Sequence, residues 1–178
     1  MFNPFQAIED AECASDPQVR VSLLEQAIKF LSTQGDAESA EVQHAIGYAW
    51  YQHPADTEIR NENVVHHLRN ALRINPDHKY ALLYLGHHYY DRRQFVLALD
   101  ILLKFRDREF SAFDQAWRDA KVAELILCCR LQIGDEKNLK EAVHRFCEAM
   151  TYCDEEMNPT PEELTQTLID ITSRTSGC

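Results

Sequence analysis

The chain has 178 residues, 45% of them hydrophobic, and a formal net charge of −11 at pH 7. A chain of this length can bury a substantial core, and its few glycines and many Leu and Ala residues favour helices over a sheet. The acidic balance and the lack of a Lys/Arg cluster argue against binding to nucleic acid or to an anionic membrane surface. No stretch approaches the roughly 20 apolar residues that a membrane-spanning helix needs.

Features of the N-terminus and of the cysteines predict a cytoplasmic protein. Residues 1–13 have neither a basic region nor an apolar core, so they do not resemble a secretory signal. Two of the six cysteines are adjacent and several lie on helix-like apolar stripes. That distribution is typical of reduced thiols in the cytosol rather than of a disulfide framework.

Residues 1–37 predict a first helical hairpin. Asn3 and Asp16 each stand directly before a proline, which is the arrangement of an N-cap followed by proline at the first helical position. The second helix carries one apolar face, made of Val21, Leu24, Ala27, Ile28 and Leu31. We expect this hairpin to diverge from those that follow, because one side of a terminal unit faces water.

Residues 39–76 predict a second hairpin. Its second helix is expected to begin at Asn61 and to turn an apolar stripe inward, made of Val64, Val65, Leu68, Ala71 and Leu72. Between the two helices, residues 53–57 form a loop-like stretch. We interpret it as a surface insertion, because added loop length costs little free energy.

The clearest pattern covers residues 77–107. Pro76 ends the preceding helix, and Asp77 is expected to cap the next one. Two apolar stripes at helical spacing follow, separated by a short polar break: Leu82, Leu85, Gly86 and Tyr89, then Phe95, Ala98, Leu99 and Leu102. They predict an antiparallel helical hairpin. Because glycine costs about 1 kcal/mol within a helix, Gly86 predicts that another helix crosses there at close range.

These residues resemble the tetratricopeptide repeat pattern, in which Leu-Gly and a following aromatic residue precede a second aromatic residue and a small Ala. Ile46, Gly47 and Trp50 match the same positions in residues 39–76. The resemblance implies one all-α domain over residues 1–178, a right-handed α-α superhelix of about three helical hairpins plus a C-terminal capping helix. It also implies an interaction scaffold, without naming the partner.

Residues 111–152 predict a last, degenerate hairpin, whose first helix lacks a glycine like Gly47 or Gly86 in the two preceding hairpins. Ser111 is expected to begin a long apolar helix and Gly134 to end it. Asn138 and Glu141 have the spacing of a capping box and are expected to begin the partner helix.

A final amphipathic helix is predicted at residues 160–173, beyond an acidic linker. Thr160 followed by Pro161 is a strong helix start. The helix either covers the open end of the superhelix or contacts another chain.

The expected binding surface lies on the first helices of the hairpins, which line the concave face of such a superhelix. The side chains off the core stripe there are His44, Tyr48, Tyr80, Leu83, Tyr84 and His87. Tyrosine and histidine suit a binding surface, and tyrosine is enriched among the residues that dominate binding energy. We therefore expect a Tyr/His-lined groove that binds a protein or peptide segment with apolar or basic side chains. Some members of the family grip a C-terminal carboxylate with Lys, Asn and Arg at these positions, and this chain has none of them there.

No catalytic, cofactor or metal site is expected. Neighbouring histidines, as in His66-His67 and His87-His88, point about 100° apart on a helix and cannot easily chelate one ion. The sequence has no His-x-x-x-His or Cys-x-x-Cys pair, no phosphate loop and no nucleophile placed beside a base. Three functions stay open: a general adaptor, a dedicated chaperone or neutralising partner of a secreted bacterial protein, and a metal-binding or enzymatic protein that uses the groove histidines.

Overall fold

The computed structural model describes residues 2–106, 108–110 and 115–152. The described residues form eight helices and no strand, so the expectation of an all-α fold is confirmed. The helices are α1 (Pro4–Cys13), α2 (Pro17–Gln34), α3 (Ala40–Gln52), α4 (Glu58–Ile74), α5 (Lys79–Asp91), α6 (Phe95–Leu102), α7 (Ala116–Ile133) and α8 (Glu136–Met150). None of these helices combines the length and the apolarity that crossing a bilayer requires. The predicted helix at residues 160–173 lies outside the described residues.

The chain divides into two compact units, Met1–His88 and Tyr89–Cys178, with the boundary inside α5. In the first unit α1 packs against α2, α3 packs against α4, and α2 contacts α3. In the second unit α7 packs against both α6 and α8. The pairs α1–α2, α3–α4 and α7–α8 therefore pack as helical hairpins within the units, and the hairpin expected at residues 77–107 stays a prediction.

Polar side chains cap the first helices of the chain. Asn3 accepts hydrogen bonds from two amides of the first turn of α1, and Asp16 Oδ1 accepts from the amide of Gln18 at 2.8 Å. Both caps were predicted from the sequence and are confirmed. Each satisfies an amide that has no partner within the helix, a contribution of about 1 kcal/mol.

The helix starts predicted at Asn61 and Asn138 are wrong. The helix expected to begin at Asn61 begins earlier, under a Thr57 cap. The helix expected to begin at Asn138 follows Asp135 directly, and Asn138 Nδ2 donates to the Asp135 carboxylate at 2.9 Å. In both cases an earlier polar residue precedes the first turn, so the later one lies inside the helix. Ser111, the predicted start of the long helix, lies outside the described residues.

Gly47 allows two helices of the first unit to approach closely. A methyl group in place of its hydrogen would lie 2.8 Å from Cγ of Leu68 and 3.1 Å from the backbone nitrogen of Leu68. Gly86 is also buried, and the helix expected to cross it stays a prediction. The core around α1, α2 and α3 is made of Ala7, Ile8, Ala11, Leu24, Ala27, Leu31, Ala45, Ile46 and Ala49.

Two arginines link the helices within the hairpins of the first unit. Arg20, near the start of α2, donates from Nε to the Ala11 carbonyl at 3.1 Å. Arg60, near the start of α4, donates from Nε to the Trp50 carbonyl at 3.1 Å and from Nη2 to the Tyr51 carbonyl. These carbonyls lie in the last turns of α1 and α3, where helix geometry leaves them without a regular partner. Each guanidinium, near the start of one helix, therefore caps carbonyl groups at the end of the preceding helix.

The connection between α6 and α7 is fixed by contacts within the second unit. The Phe110 amide donates to the Asp119 carboxylate at 3.1 Å, and Arg145 donates to the Phe105 carbonyl at 3.1 Å. The Phe105 and Phe110 rings are buried, with centroids 5.7 Å apart. Farther along, Gly134 ends α7 in the left-handed conformation with φ of 70°, which confirms the predicted helix end.

Candidate functional site

Among the described residues, eight aromatic side chains of the first unit come together on α3, on α5 and at the residue before α5. Each ring centroid lies 4.1–6.5 Å from that of at least one other member. We call this group the Tyr/His cluster. Its members are His44, Tyr48, Tyr51, His78, Tyr80, Tyr84, His87 and His88.

Helix periodicity explains why these rings share a surface. His44, Tyr48 and Tyr51 follow one another at i, i+4 and i+7 along α3, and this spacing keeps side chains on one face. The ring-bearing positions of α5 from Tyr80 onward repeat the same spacing. The core residues Ala45, Ile46 and Ala49 occupy the other side of α3. Of the three rings on α3, Tyr48 is partly buried and also packs against this core.

Tyr48 and Tyr84 form the centre of the cluster. Their ring centroids are 4.1 Å apart, and the Tyr51 centroid lies 5.6 Å from that of Tyr84. On the other side His44 stacks on Tyr48 at 5.8 Å with an interplanar angle of 9°, and His78 lies 4.8 Å from His44. Aromatic pairs at such separations contribute about 0.5–1.5 kcal/mol beyond the area they bury. The rings therefore support one another in a defined arrangement.

Five of the six site residues predicted from the sequence belong to the cluster, and all five are partly buried: His44, Tyr48, Tyr80, Tyr84 and His87. Leu83 is only 3% exposed, and a side chain so buried offers a partner almost no surface. Sequence reasoning missed Tyr51, His78 and His88. The spacing from His44 and Tyr48 was a sufficient signal for Tyr51, whereas His78 lies before its helix and follows no helical period.

A carboxylate lies at the edge of the cluster. Oε1 of Glu12, in the last turn of α1, accepts hydrogen bonds from the Tyr48 hydroxyl and from Nε2 of Gln52, the latter at 2.9 Å. Burial raises the pKa of Tyr48, and Tyr84 and Glu12 act in the same direction. The phenol is therefore protonated at pH 7, which fixes it as the hydrogen-bond donor. These bonds hold the end of α1 against the rings of α3.

His78, the residue directly before α5, caps this helix, so the expectation that Asp77 caps it is wrong. Its Nδ1 accepts from the Ala81 amide at 3.2 Å, in the position of an N-cap acceptor. Burial lowers the pKa of His78, although nearby Glu41 acts in the opposite direction. The ring is consequently neutral at pH 7, the state in which Nδ1 can accept a hydrogen bond.

Two adjacent cysteines of the second unit, Cys128 and Cys129, lack the properties of a nucleophilic site. Burial raises the pKa of the Cys128 thiol and raises that of Cys129 to about 12. A side-chain hydrogen bond links Tyr90 to Cys128, and Glu124 pairs with Lys121 Nζ at 2.6 Å. Because the thiolate is the nucleophile, a raised pKa makes both thiols less reactive than an ordinary cysteine. The described residues also contain no group of three or more His, Cys, Asp or Glu side chains that could hold a metal ion.

The comparisons with known proteins identify the fold. No family model matches the chain, and no curated protein matches it in sequence. Among solved structures, the crystal structure of MamA protein is similar, with a TM-score of 0.55 and 17% identity over 89% of this chain and 78% of that chain. MamA contains tetratricopeptide repeats. At this identity the likeness concerns the fold alone, and the chain has a TPR-like helical repeat fold, as the repeat pattern predicts.

Proposed function

We propose that this protein is a non-catalytic interaction module of the cytoplasm, and that its Tyr/His cluster binds a segment of a protein or peptide partner. A TPR-like fold supports protein partners at a general level and is typically non-catalytic. The observation that carries the proposal is the gathering of eight rings in the first unit, of which all but the buried His88 are partly exposed. On α3 the spacing of His44, Tyr48 and Tyr51 places their rings on one face, and Tyr48 also packs against the core of the unit.

The chemistry of the rings suits binding better than folding. Tyrosine and histidine combine an apolar body with a polar end, so such a surface can exclude water from a partner and still form hydrogen bonds. Aromatic side chains that support one another also lose little conformational entropy when a partner binds. Tyr48 and Tyr84, the closest pair, are the candidates for the residues that contribute most binding energy.

A peptide selection tests this proposal. The full chain is used to select from a library of random dodecapeptides, and the affinity of each enriched peptide is measured by titration calorimetry. Replacing the central ring by Tyr84→Leu should weaken binding at least about tenfold, the loss typical of an aromatic hot spot. The matched control is Tyr152→Leu, which removes a tyrosine that is 54% exposed in the second unit.

The outcomes of this selection are distinct. Unchanged affinity in the Tyr152→Leu variant, together with the loss in Tyr84→Leu, supports the proposal. Far-UV circular dichroism and the unfolding midpoint establish that Tyr84→Leu is folded. A selection that enriches no peptide, or only peptides that bind the folded Tyr84→Leu variant as tightly as the parent chain, contradicts the proposal.

A further inference from the structure

We infer that the partner segment places a cationic side chain, arginine in preference to lysine, on the rings of Tyr48 and Tyr84, with the Glu12 carboxylate as its counter-ion. This inference rests on the proposed function, because it names the chemistry that the same surface recognises. Three features of the first unit carry it: the position of the carboxylates, the faces of the rings and the geometry that joins them.

Carboxylates lie toward both ends of the cluster. Glu12 is exposed and bonded to the Tyr48 hydroxyl and to Gln52, near the C-terminal end of α3. Glu41 is in the first turn of α3, and its charge opposes the lowering of the His78 pKa by burial. Helix α1, which brings Glu12 to the rings, contains acidic residues and no Lys or Arg. The electrostatic surroundings of the rings therefore attract a positive charge and repel an acidic segment.

The rings themselves attract a cation. The face of an aromatic ring carries partial negative charge and binds Lys or Arg within about 6 Å of its centroid. One such contact already exists, since Nζ of Lys79 lies 5.2 Å from the centroid of Tyr80. His78 is kept neutral at pH 7 by burial, so its ring adds no repulsion next to His44.

The link between ring and carboxylate favours arginine. Because Glu12 is hydrogen-bonded to the hydroxyl of Tyr48, its carboxylate lies at the edge of the ring on which a ligand would stack. Both existing bonds end on Oε1, so Oε2 can accept from a ligand. A planar guanidinium can stack on a ring face and donate to a carboxylate at the ring edge at the same time. The compact ammonium group of lysine can make one of these contacts well.

The test uses the peptides selected on the full chain and their neutral analogues. We expect the enriched peptides to contain arginine in excess over the starting library. Replacing that arginine by citrulline, which has nearly the same shape and no charge, should weaken binding about tenfold, and replacing it by lysine should weaken binding by a smaller factor. The dissociation constant should also rise with ionic strength, as screening of an exposed charge pair requires.

Two variants on α1 distinguish a specific contribution of the Glu12 carboxylate from attraction by the overall negative charge of the helix. Glu12→Gln keeps an oxygen that accepts a hydrogen bond from Tyr48 and removes the charge. We expect it to weaken the binding of the arginine-containing peptide about fivefold. Asp10→Asn removes the same charge on the opposite side of the helix, about 200° from Glu12, and should leave affinity within about twofold.

Failure of this inference and failure of the proposed function give different results. Peptides that depend on Tyr84 but bind equally well as citrulline analogues, and equally well to Glu12→Gln, overturn the inference and leave the binding surface in place. Equal losses in Glu12→Gln and Asp10→Asn also overturn it, because they show attraction by overall charge alone. Peptides that bind the Tyr84→Leu variant as tightly as the parent chain overturn the proposed function itself.

Discussion

Replacing Gly47 by alanine should destabilise the first unit, even though alanine is the better helix former. Helix propensity alone would stabilise α3 by about 1 kcal/mol. The added methyl, however, would lie 2.8 Å from both Cγ and Cδ2 of Leu68. Leu68 is fully buried, and Cγ is only two bonds from its Cα. It cannot move aside unless its rotamer changes within the core or α4 shifts.

The expected size of the effect follows from these contacts. Overpacking of a well-filled core costs about 1–3 kcal/mol, and the approach to the Leu68 backbone nitrogen at 3.1 Å favours the upper part of that range. After the gain in propensity, Gly47→Ala should lower the free energy of unfolding by about 1–2 kcal/mol. Leu68→Ala alone should cost about 2–5 kcal/mol through lost burial and a cavity.

The double variant gives the decisive comparison. In the Leu68→Ala background the branched side chain is gone, so Gly47→Ala should become neutral or stabilising by up to about 1 kcal/mol. Urea denaturation followed by far-UV circular dichroism gives the free energy of unfolding of the parent chain, the two single variants and the double variant. The dependence of that free energy on urea concentration should be the same in all four. If Gly47→Ala stabilises the parent chain, or costs the same with and without the leucine side chain, the close approach of α3 and α4 at this point is refuted.

Three further predictions concern single side chains. Burial and the neighbouring histidine lower the pKa of His67 from 6.5 to about 4. The unfolded chain therefore binds a proton that the folded chain does not, and stability present above pH 6.5 is lost as the pH falls toward 4. With allowance for its partial exposure, this amounts to about 1–2 kcal/mol, and the pH dependence of the unfolding midpoint should be weaker in His67→Gln. Arg60→Met should lower the free energy of unfolding by about 1–3 kcal/mol, because the Tyr51 and Trp50 carbonyls lose the guanidinium donor and Trp50 keeps only the His53 amide. Iodoacetamide at pH 7.5 should modify the exposed thiol of Cys13 at least about 100-fold faster than that of Cys129. The Cys129 thiol is fully buried, and burial raises its pKa to about 12.

Each of these predictions has a control and a contrary result. For His67 the control is His144→Gln, at an exposed position of α8. If both variants weaken the pH dependence of the unfolding midpoint equally, that dependence does not come from His67. For Arg60 the control is Arg69→Met on the exposed face of α4, and similar losses in both would show that the carbonyl contacts contribute nothing specific. For the thiols, equal modification rates in the folded chain would show that Cys129 is accessible.

The helices and their inner faces could be predicted because their signals are local. Leu24, Ala27 and Leu31 follow the helical period and are all buried. Gly134 marked a helix end because a left-handed residue there favours glycine, and the structure has φ of 70° at that position. The same period along α3 placed His44 and Tyr48 on one face, and it extends to Tyr51.

What the sequence did not reveal depends on contacts between segments. Thr57 and Asn61 are both suitable caps, and the structure uses Thr57, whose hydroxyl accepts from the Arg60 amide at 3.1 Å. Arg20 and Arg60 reach the carbonyls of the preceding helix only after each hairpin has formed. His78 joined the rings because it ends a turn next to α3, a placement that no periodicity encodes. Leu83 follows the spacing of the binding face and is nevertheless buried.

Hydrogen exchange measured by mass spectrometry, on the full chain with and without a selected peptide, tests the central claim most directly. If the Tyr/His cluster is the contact surface, binding should slow exchange in the segments that carry it, residues 44–51 and 78–88, and leave α8 unchanged. Protection confined to α7 and α8, with no change in those two segments, would contradict the account.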